Sequence, residues 1–326
     1  MKAWQVRTKG HPSTALELVD VPPPVPGPGE ALIRVCAGTV NFADILLCQG
    51  IYQDRPPVPF TPGLETSGVV EAVGPGVDLK PGMHVGGMSA LPAGGFAEQA
   101  LIRAGAALVF PDDIPFRDVT LLYSTYQTSH VALFHRGRLL AGEWLLVLAG
   151  ASGVGAAAIQ LGRAAGARII AAAGSAEKLE FCRAQGAEHL IDYTTADVGA
   201  ELTRITASRG VDVVFDPVGG EMAEIARRRL AWEGRYLVIG FAAGGVPAFP
   251  ANHVLVKNYS VVGVHWGVYH QHRADVVRSA HDDILRRYRA GELRPPVSRT
   301  LPLDGIPDAL SELESRGVAG RLVLTP

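Results

Sequence analysis

The rhythm of hydrophobic and polar positions changes near residue 120. Before that point, short β-branched and apolar runs at 31–35 and 68–73 are separated by turn-forming clusters such as Pro22-Pro23-Pro24 and Gly74-Pro75-Gly76. Closely spaced strands with Pro- and Gly-rich turns predict a small barrel or sandwich. After it, continuous apolar runs alternate with helical stretches. The run at 145–148 precedes a helix at 154–165, and the run at 168–173 precedes a helix at 176–185. Further runs follow at 211–215, 236–239 and 259–264. Apolar strands alternating with helices predict βαβ units and an α/β fold with a doubly wound parallel sheet buried on both faces. The tail shows an amphipathic helix near 274–290 and an apolar end at 320–325. It is too short for a third domain, so it is expected to pack back against the first. The expected division is therefore 1–122 completed by 267–326, with 123–266 as the second domain.

Composition narrows the classes. A chain of 326 residues exceeds one ordinary hydrophobic core, in line with two domains. A formal net charge of -2 provides no global field for nucleic acid or an anionic membrane. No basic patch interleaved with aromatics points to RNA. Cys36, Cys48 and Cys182 are odd in number and scattered, which argues against a disulfide framework and for a reducing compartment. No charged-then-apolar leader opens the sequence and no apolar stretch reaches membrane-spanning length uninterrupted, so a cytoplasmic enzyme is expected.

The segment Val147-Leu-Ala-Gly150-Ala-Ser152-Gly153-Val154-Gly155 follows a predicted strand and opens a predicted helix. That is the context of a dinucleotide-binding loop, where glycines let the backbone approach a pyrophosphate and the helix N-terminus faces it. Cofactor choice is read after the second strand, where an acidic residue would hold a ribose 2′-hydroxyl. Here that stretch is Ala173-Gly174-Ser175, with no carboxylate until Glu177. Lys178, Ser175 and Tyr193 offer a cation and two hydroxyls suited to a phosphate dianion, so NADPH is the expected cofactor.

Three sets of residues carry a family resemblance. They are Ala37-Gly-Thr-Val-Asn41-Phe-Ala-Asp44, then Pro62-Gly63-Leu-Glu65 with Gly68-Val-Val-Glu71-Ala-Val-Gly74, and the loop at 149–155. With Asp216-Pro-Val-Gly219-Gly220 and Ile239-Gly240-Phe-Ala-Ala-Gly244, they resemble the medium-chain dehydrogenase/reductase superfamily over nearly the whole chain. The match is closest to the quinone oxidoreductases, the group that includes zeta-crystallin. The resemblance implies a GroES-like β-barrel domain and a Rossmann domain with the active site between them. It also implies a homodimer or tetramer formed through the nucleotide domain. It assigns Gly150 to Gly155 to the pyrophosphate, and Ser175, Lys178, Tyr193 and Arg316 to the 2′-phosphate. Gly240, Phe241, Ala242, His265 and Trp266 would line the nicotinamide side, with Thr128 near its ring.

Zinc-dependent members of the superfamily hold catalytic zinc through Cys, His (or Glu) and Cys. In this chain the first position reads Val40, the His reads Leu64, and no cysteine lies between Cys48 and Cys182. No metal is expected, and reduction of an electrophilic acceptor suits such a site better than alcohol oxidation. Asn41, Tyr52 and Tyr126 are the expected neutral donors toward a quinone oxygen gaining charge. Asp44 is either a proton relay or a brace for the loop carrying Asn41. Relatives commonly have a tyrosine where this chain has Leu46, which makes one side of the pocket more apolar. The competing readings are an NADPH-dependent enone or enoyl double-bond reductase, and a non-catalytic NADPH-binding protein of crystallin type.

Overall fold

The computed structural model describes residues 1–315 and 317–326. The described chain divides into two compact units, Met1–Ser124 with Pro295–Pro326, and Thr125–Arg294.

In the first unit, β1 (Lys2–Val6) and β2 (Leu16–Asp20) form an antiparallel ribbon. The larger sheet uses β3 (Glu30–Thr39), β4 (Glu65–Val73), β5 (His84–Met88), β6 (Gln99–Arg103) and β7 (Leu108–Val109), joined by β14 (Val297–Leu301) and β15 (Arg321–Leu324) from the tail. Its order is β14-β15-β3-β4-β5-β7, with β6 also on β3. The long strand β3 alternates its side chains, so Ala31, Ile33 and Val35 join Val70, Val85, Ala100 and Ile102 in one core cluster. A second cluster packs Val40, Ile45, Leu47 and Phe60 against the tail residues Ile306, Leu310 and Leu322.

In the second unit, the strands are β8 (Trp144–Val147), β9 (Arg168–Ala173), β10 (His189–Asp192), β11 (Val211–Asp216), β12 (Leu230–Val238) and β13 (Ser260–Gly263). Among the described residues they form one parallel sheet in the order β10-β9-β8-β11-β12-β13. The order reverses between β8 and β11, so this pair marks the topological switch point at which such sheets bind ligands. The strands read as near-continuous apolar runs because helices cover both faces: Leu145, Leu146, Val213 and Val214 are fully buried.

The division corrects one expectation. Residues 267–294 were assigned to the barrel, but they belong to the second unit. The helix Ala274–Arg289 is anchored there by Asp283, which accepts from His130 at 3.0 Å and pairs with Arg287, whose guanidinium also lies over the Phe134 ring. The shorter tail from Pro295 does return to the barrel through β14 and β15. No helix among the described residues is long and apolar enough to cross a membrane.

Candidate functional site

Parallel strands set all their C-terminal loops on one edge, so the order of the second unit gathers the predicted nucleotide residues there. The loop after β8 and the first turn of the helix it opens carry Gly150, Ser152, Gly153, Val154 and Gly155, and the loop and helix start after β9 carry Gly174, Ser175 and Lys178. Tyr193 follows β10, Gly240, Phe241 and Ala242 follow β12, and His265 and Trp266 follow β13. Thr128, half-buried on the helical turn Gln127–His130, precedes Ser129, whose hydroxyl donates to the Val154 carbonyl at 2.9 Å. That bond ties the Thr128 turn to the start of the helix Gly153–Ala164. Arg316 lies outside the described residues.

Local chemistry explains the loop after β8. Ser152 is the N-cap of the helix Gly153–Ala164, its hydroxyl accepting from Gly155 N–H at 3.1 Å. A Cβ on Gly155 would lie 2.3 Å from the Ala149 carbonyl oxygen, so only glycine lets the helix start this close to the loop. After β9, Ser175 caps the helix Ala176–Gln185 by accepting from Lys178 N–H at 3.3 Å. Its hydroxyl hydrogen is not consumed by that bond and can donate outward. A Cβ on Gly174 would lie 2.6 Å from the Tyr193 hydroxyl, so the missing side chain makes room for Tyr193, itself 42 % exposed.

The turn after β11 has a support that sequence reasoning missed. Buried Asp216 accepts from Val218 and Gly219 N–H at 2.7 and 2.9 Å, and from the Tyr236 hydroxyl at 2.7 Å. Ala242 and Ala243 N–H in turn donate to the Pro217 and Val218 carbonyls, which fixes the 240–243 loop against that turn. The motif residues around Asp216 were visible in the sequence; their pairing with Tyr236 was not.

Tyr126 belongs to the interior of the second unit. It is fully buried, and its hydroxyl donates at 2.8 Å to Gln160 Oε1, which also accepts from Arg294 N–H at 2.8 Å. Gln160 Nε2 donates to Gln185 Oε1 and to the Arg294 carbonyl. This corrects the expectation of Tyr126 as an acceptor-side donor: its hydroxyl braces a buried network.

The other predicted polar residues assemble in the first unit. Glu65 Oε2 accepts from the Thr39 hydroxyl at 2.7 Å and from Asn41 Nδ2 at 3.2 Å, and Oε1 accepts from the Ser124 hydroxyl. Asn41 Nδ2 also donates to Thr39 Oγ1 at 2.9 Å. Because a carboxylate only accepts, the amide must turn its NH2 toward Glu65. Both amide hydrogens of Asn41 are thereby spent. The expectation of Asn41 as an oxyanion donor is corrected, since its remaining polar atom is the acceptor Oδ1.

Asp44 is fully buried in the first turn of the helix Phe42–Gln49. Its Oδ2 accepts from Asn41 N–H at 3.0 Å, and its Oδ1 accepts from Gly63 and Leu64 N–H at 3.2 and 3.0 Å. Burial pushes its pKa up to about 7, against the pull of those backbone donors. Of the two roles left open for Asp44, these contacts match the brace. Half-buried Tyr52 packs on the adjoining core, and burial together with Glu65 and Asp44 raises its pKa, so it stays a protonated, neutral donor. Val40 and Leu64 stand where zinc ligands would be and are buried apolar members of the same core. Glu65 is the residue that sequence reasoning passed over. Glu65 was read only for its missing histidine neighbour.

The fold and the two polar constellations define a two-unit nucleotide-dependent oxidoreductase, and comparison places it. The family model for the alcohol dehydrogenase GroES-like domain matches residues 27–112, and that for the zinc-binding dehydrogenase matches 153–281. Quinone oxidoreductase-like protein 2 of Mus musculus is 35% identical over 312 residues, spanning 95% of this chain and 89% of that protein. The Escherichia coli quinone oxidoreductase, solved as a complex with NADPH, superposes with a TM-score of 0.90 at 27% identity, covering 100% of both chains. The Thermus thermophilus quinone oxidoreductase, also solved with NADPH, gives a TM-score of 0.84 at 33% identity with the same coverage. The chain belongs to the medium-chain dehydrogenase/reductase superfamily, within its zinc-free quinone oxidoreductase family.

Proposed function

We infer that this protein is an NADPH-dependent quinone oxidoreductase working without a metal. The observation that carries the cofactor reading is the acid-free end of β9, where the Tyr193 hydroxyl sits in the space left by Gly174 beside the Ser175 cap. A carboxylate there would repel a 2′-phosphate; hydroxyls with Lys178 nearby suit one. The backbone of 150–155 and the helix N-terminus it opens suit the pyrophosphate. Bound NADPH would supply a hydride from its nicotinamide C4. The protein's part is then to hold and orient the partners and exclude water. Tyr52 is the neutral donor for the acceptor oxygen, and Asp44 keeps the Asn41 and Gly63–Leu64 segments in fixed relation.

Val40 and Leu64 in the zinc-ligand positions favour an acceptor that is already electrophilic. The test is oxidation of NADPH and of NADH by chelator-treated protein, offered a naphthoquinone or an α,β-unsaturated ketone. NADPH-selective turnover of the quinone supports the inference. Turnover confined to the unsaturated ketone makes the protein a double-bond reductase instead. NADPH binding with no turnover of either acceptor makes it a non-catalytic binding protein.

The same reading includes a homodimer formed along β13. This strand ends the sheet order, so one row of its backbone groups has no strand partner among the described residues. Around it Val246, Leu255 and Val256 are 76 %, 75 % and 72 % exposed, far more than large apolar residues usually are. Light scattering should give twice the chain mass, and Val261→Lys together with Leu255→Glu should give the monomer. A wild-type monomer refutes it. A cytoplasmic, reducing setting accords with three cysteines that form no disulfide.

A further inference from the structure

The run Arg227-Arg228-Arg229 reads in sequence as the solvated end of a helix, and the structure divides it. Arg227 is buried and pairs with Glu224, whereas Arg228 and Arg229 line a cavity of about 200 Å³ within the second unit. Ser208, Arg209 and Lys257 are also part of its wall, with Gly210 leading into β11 and Leu230 opening β12. The cavity therefore lies at the N-terminal edge of the parallel sheet, opposite the edge that carries the nucleotide loops. The six residues of β11, rising about 3.3 Å each, put roughly 20 Å between the two edges.

Positive charge outweighs negative charge there. Of the cations on the wall, Arg209 pairs with Asp212, and Arg228 donates from Nε at 2.9 Å to Glu224, a carboxylate it shares with Arg227. Arg229 and Lys257 form no ion pair among the described residues. Arg229 Nε donates to the Gly199 carbonyl at 2.9 Å, and Lys257 Nζ donates to the Arg228 and Leu230 carbonyls at 2.9 and 2.8 Å. Lysines commonly settle on the last carbonyls of a helix, which accounts for the bond to Arg228 at the end of Gly220–Arg228. Carbonyls are neutral, however, so both full charges remain. Both Nη groups of Arg229 and one Nζ hydrogen of Lys257 also stay uncommitted among the described residues. The two cations repel one another: burial, and then the Arg229 charge, hold the Lys257 pKa below the usual lysine range.

A tight loop adds a hydroxyl to these charges. Ala207 and Ser208 are non-glycine residues in the left-handed region, with φ of 49° and 65°. The Ser208 N–H donates to the Thr203 carbonyl at 2.8 Å and the Gly210 N–H to the Thr206 hydroxyl at 3.1 Å, which pins the loop. The exposed Ser208 hydroxyl is thereby held on the cavity wall with no partner among the described residues. The cavity, at about 200 Å³, is several times the ~30 Å³ share of one water and smaller than the ~300 Å³ at which pockets for larger ligands begin. A tetrahedral anion, alone or on a short organic group, suits that space, and a second dinucleotide does not. A phosphate group carries about two negative charges near neutral pH, which matches the charges of Arg229 and Lys257.

We propose that this cavity is an anion site, separate from the nucleotide loops, that binds a small phosphate dianion through Arg229, Lys257 and the Ser208 hydroxyl. It does not depend on the oxidoreductase reading. The experiment is calorimetric titration of the whole protein, with NADPH at saturation, using inorganic phosphate, glycerol phosphate and succinate. Wild type should bind a phosphate probe with a dissociation constant of about 1 mM or lower. Succinate, a dianion without tetrahedral oxygens, should bind at least about tenfold more weakly. Arg229→Gln should weaken phosphate binding about tenfold or more. Ser208→Asp sets a carboxylate on the wall and should do the same, in a backbone conformation that Asp and Asn tolerate better than most residues. Ser208→Asn, whose amide can still donate, should keep the wild-type affinity. Tighter binding of glycerol phosphate than of inorganic phosphate identifies an ester as the ligand, and the reverse identifies free phosphate; both place a phosphate here.

Three results overturn the proposal. One is a wild type that binds neither phosphate probe. Another is phosphate binding that both Arg229→Gln and Ser208→Asp leave unchanged, which places the anion elsewhere on the molecule. The third is succinate bound as tightly as phosphate, which reduces the site to charge attraction. Ser208 is exposed, so Ser208→Asp still decides the matter if Arg229→Gln fails to fold. Variant-sensitive phosphate binding in a protein that binds no NADPH would sink the cofactor reading while the anion site stands.

Discussion

Replacing Gly155 with alanine probes the nucleotide loop where its geometry is tightest. The new Cβ would sit 2.3 Å from the Ala149 carbonyl oxygen and 2.9 Å from Gly150 Cα, both backbone atoms that cannot rotate away. Ordinary contact begins near 3.4 Å, so the helix start and the loop must separate by roughly 1 Å. Overpacking of this kind costs about 1–3 kcal/mol. The same movement stretches the 3.1 Å bond from Gly155 N–H to Ser152, a cap worth about 1 kcal/mol. Against this, alanine is the better helix former by about 1 kcal/mol, which offsets the cap but not the clash. The net expectation is a loss of about 1–3 kcal/mol in urea-induced unfolding. Because the displaced N–H groups are those proposed to meet the pyrophosphate, the NADPH dissociation constant should rise at least about tenfold. Gly105→Ala is the control, since its Cβ would meet nothing within 4 Å and should leave stability within about 0.5 kcal/mol of wild type. A Gly155→Ala variant with wild-type stability and wild-type NADPH affinity would refute the reasoning.

Other consequences follow from single contacts. Tyr126→Phe removes a hydroxyl whose partner Gln160 Oε1 keeps its bond from Arg294, so stability should fall by about 1 kcal/mol with kcat unchanged; a tenfold loss of kcat at full stability would return Tyr126 to the acceptor side. Asp44, with a folded pKa of about 7 against 3.8 as its ordinary value, holds its proton in the folded state after the unfolded chain has released it. Its contribution to stability is therefore lost as pH rises from about 4 to about 7, and urea midpoints of wild type relative to Asp44→Asn should fall across that window. A constant difference would contradict this. Lys178→Ala combined with Tyr193→Phe should weaken NADPH binding about tenfold or more and leave NADH binding unaltered, measured by fluorescence titration. Equal weakening of both would remove these residues from the 2′-phosphate.

The second unit was the more legible in sequence because central strands such as 145–148 and 169–173 are apolar on both faces, and the helices after β8, β9 and β11 start at Ser152, Ser175 and Gly219. Ser152 and Ser175 were picked for phosphate contact, and both prove to be N-caps, a role compatible with that one because a hydroxyl accepts and donates at once. The helix Ala274–Arg289 was found but given to the wrong unit. An amphipathic pattern states that a face is buried and not against what; the partners His130 and Phe134 lie more than a hundred residues away in sequence. Tyr126 and Asn41 were misread for a related reason. A side chain's hydrogen-bonding capacity is visible in its type, but whether Gln160 or Glu65 has already used it depends on register and packing.

Under the proposed function this protein moves a hydride from NADPH to a quinone. The most direct test is single-turnover oxidation of NADPH deuterated at the transferred C4 position, with and without a naphthoquinone. Oxidation should require the quinone, be slowed by deuterium, and persist in excess chelator. Bound NADPH that the quinone does not oxidise, or oxidation at the same rate without it, would mean that the protein is not a quinone oxidoreductase.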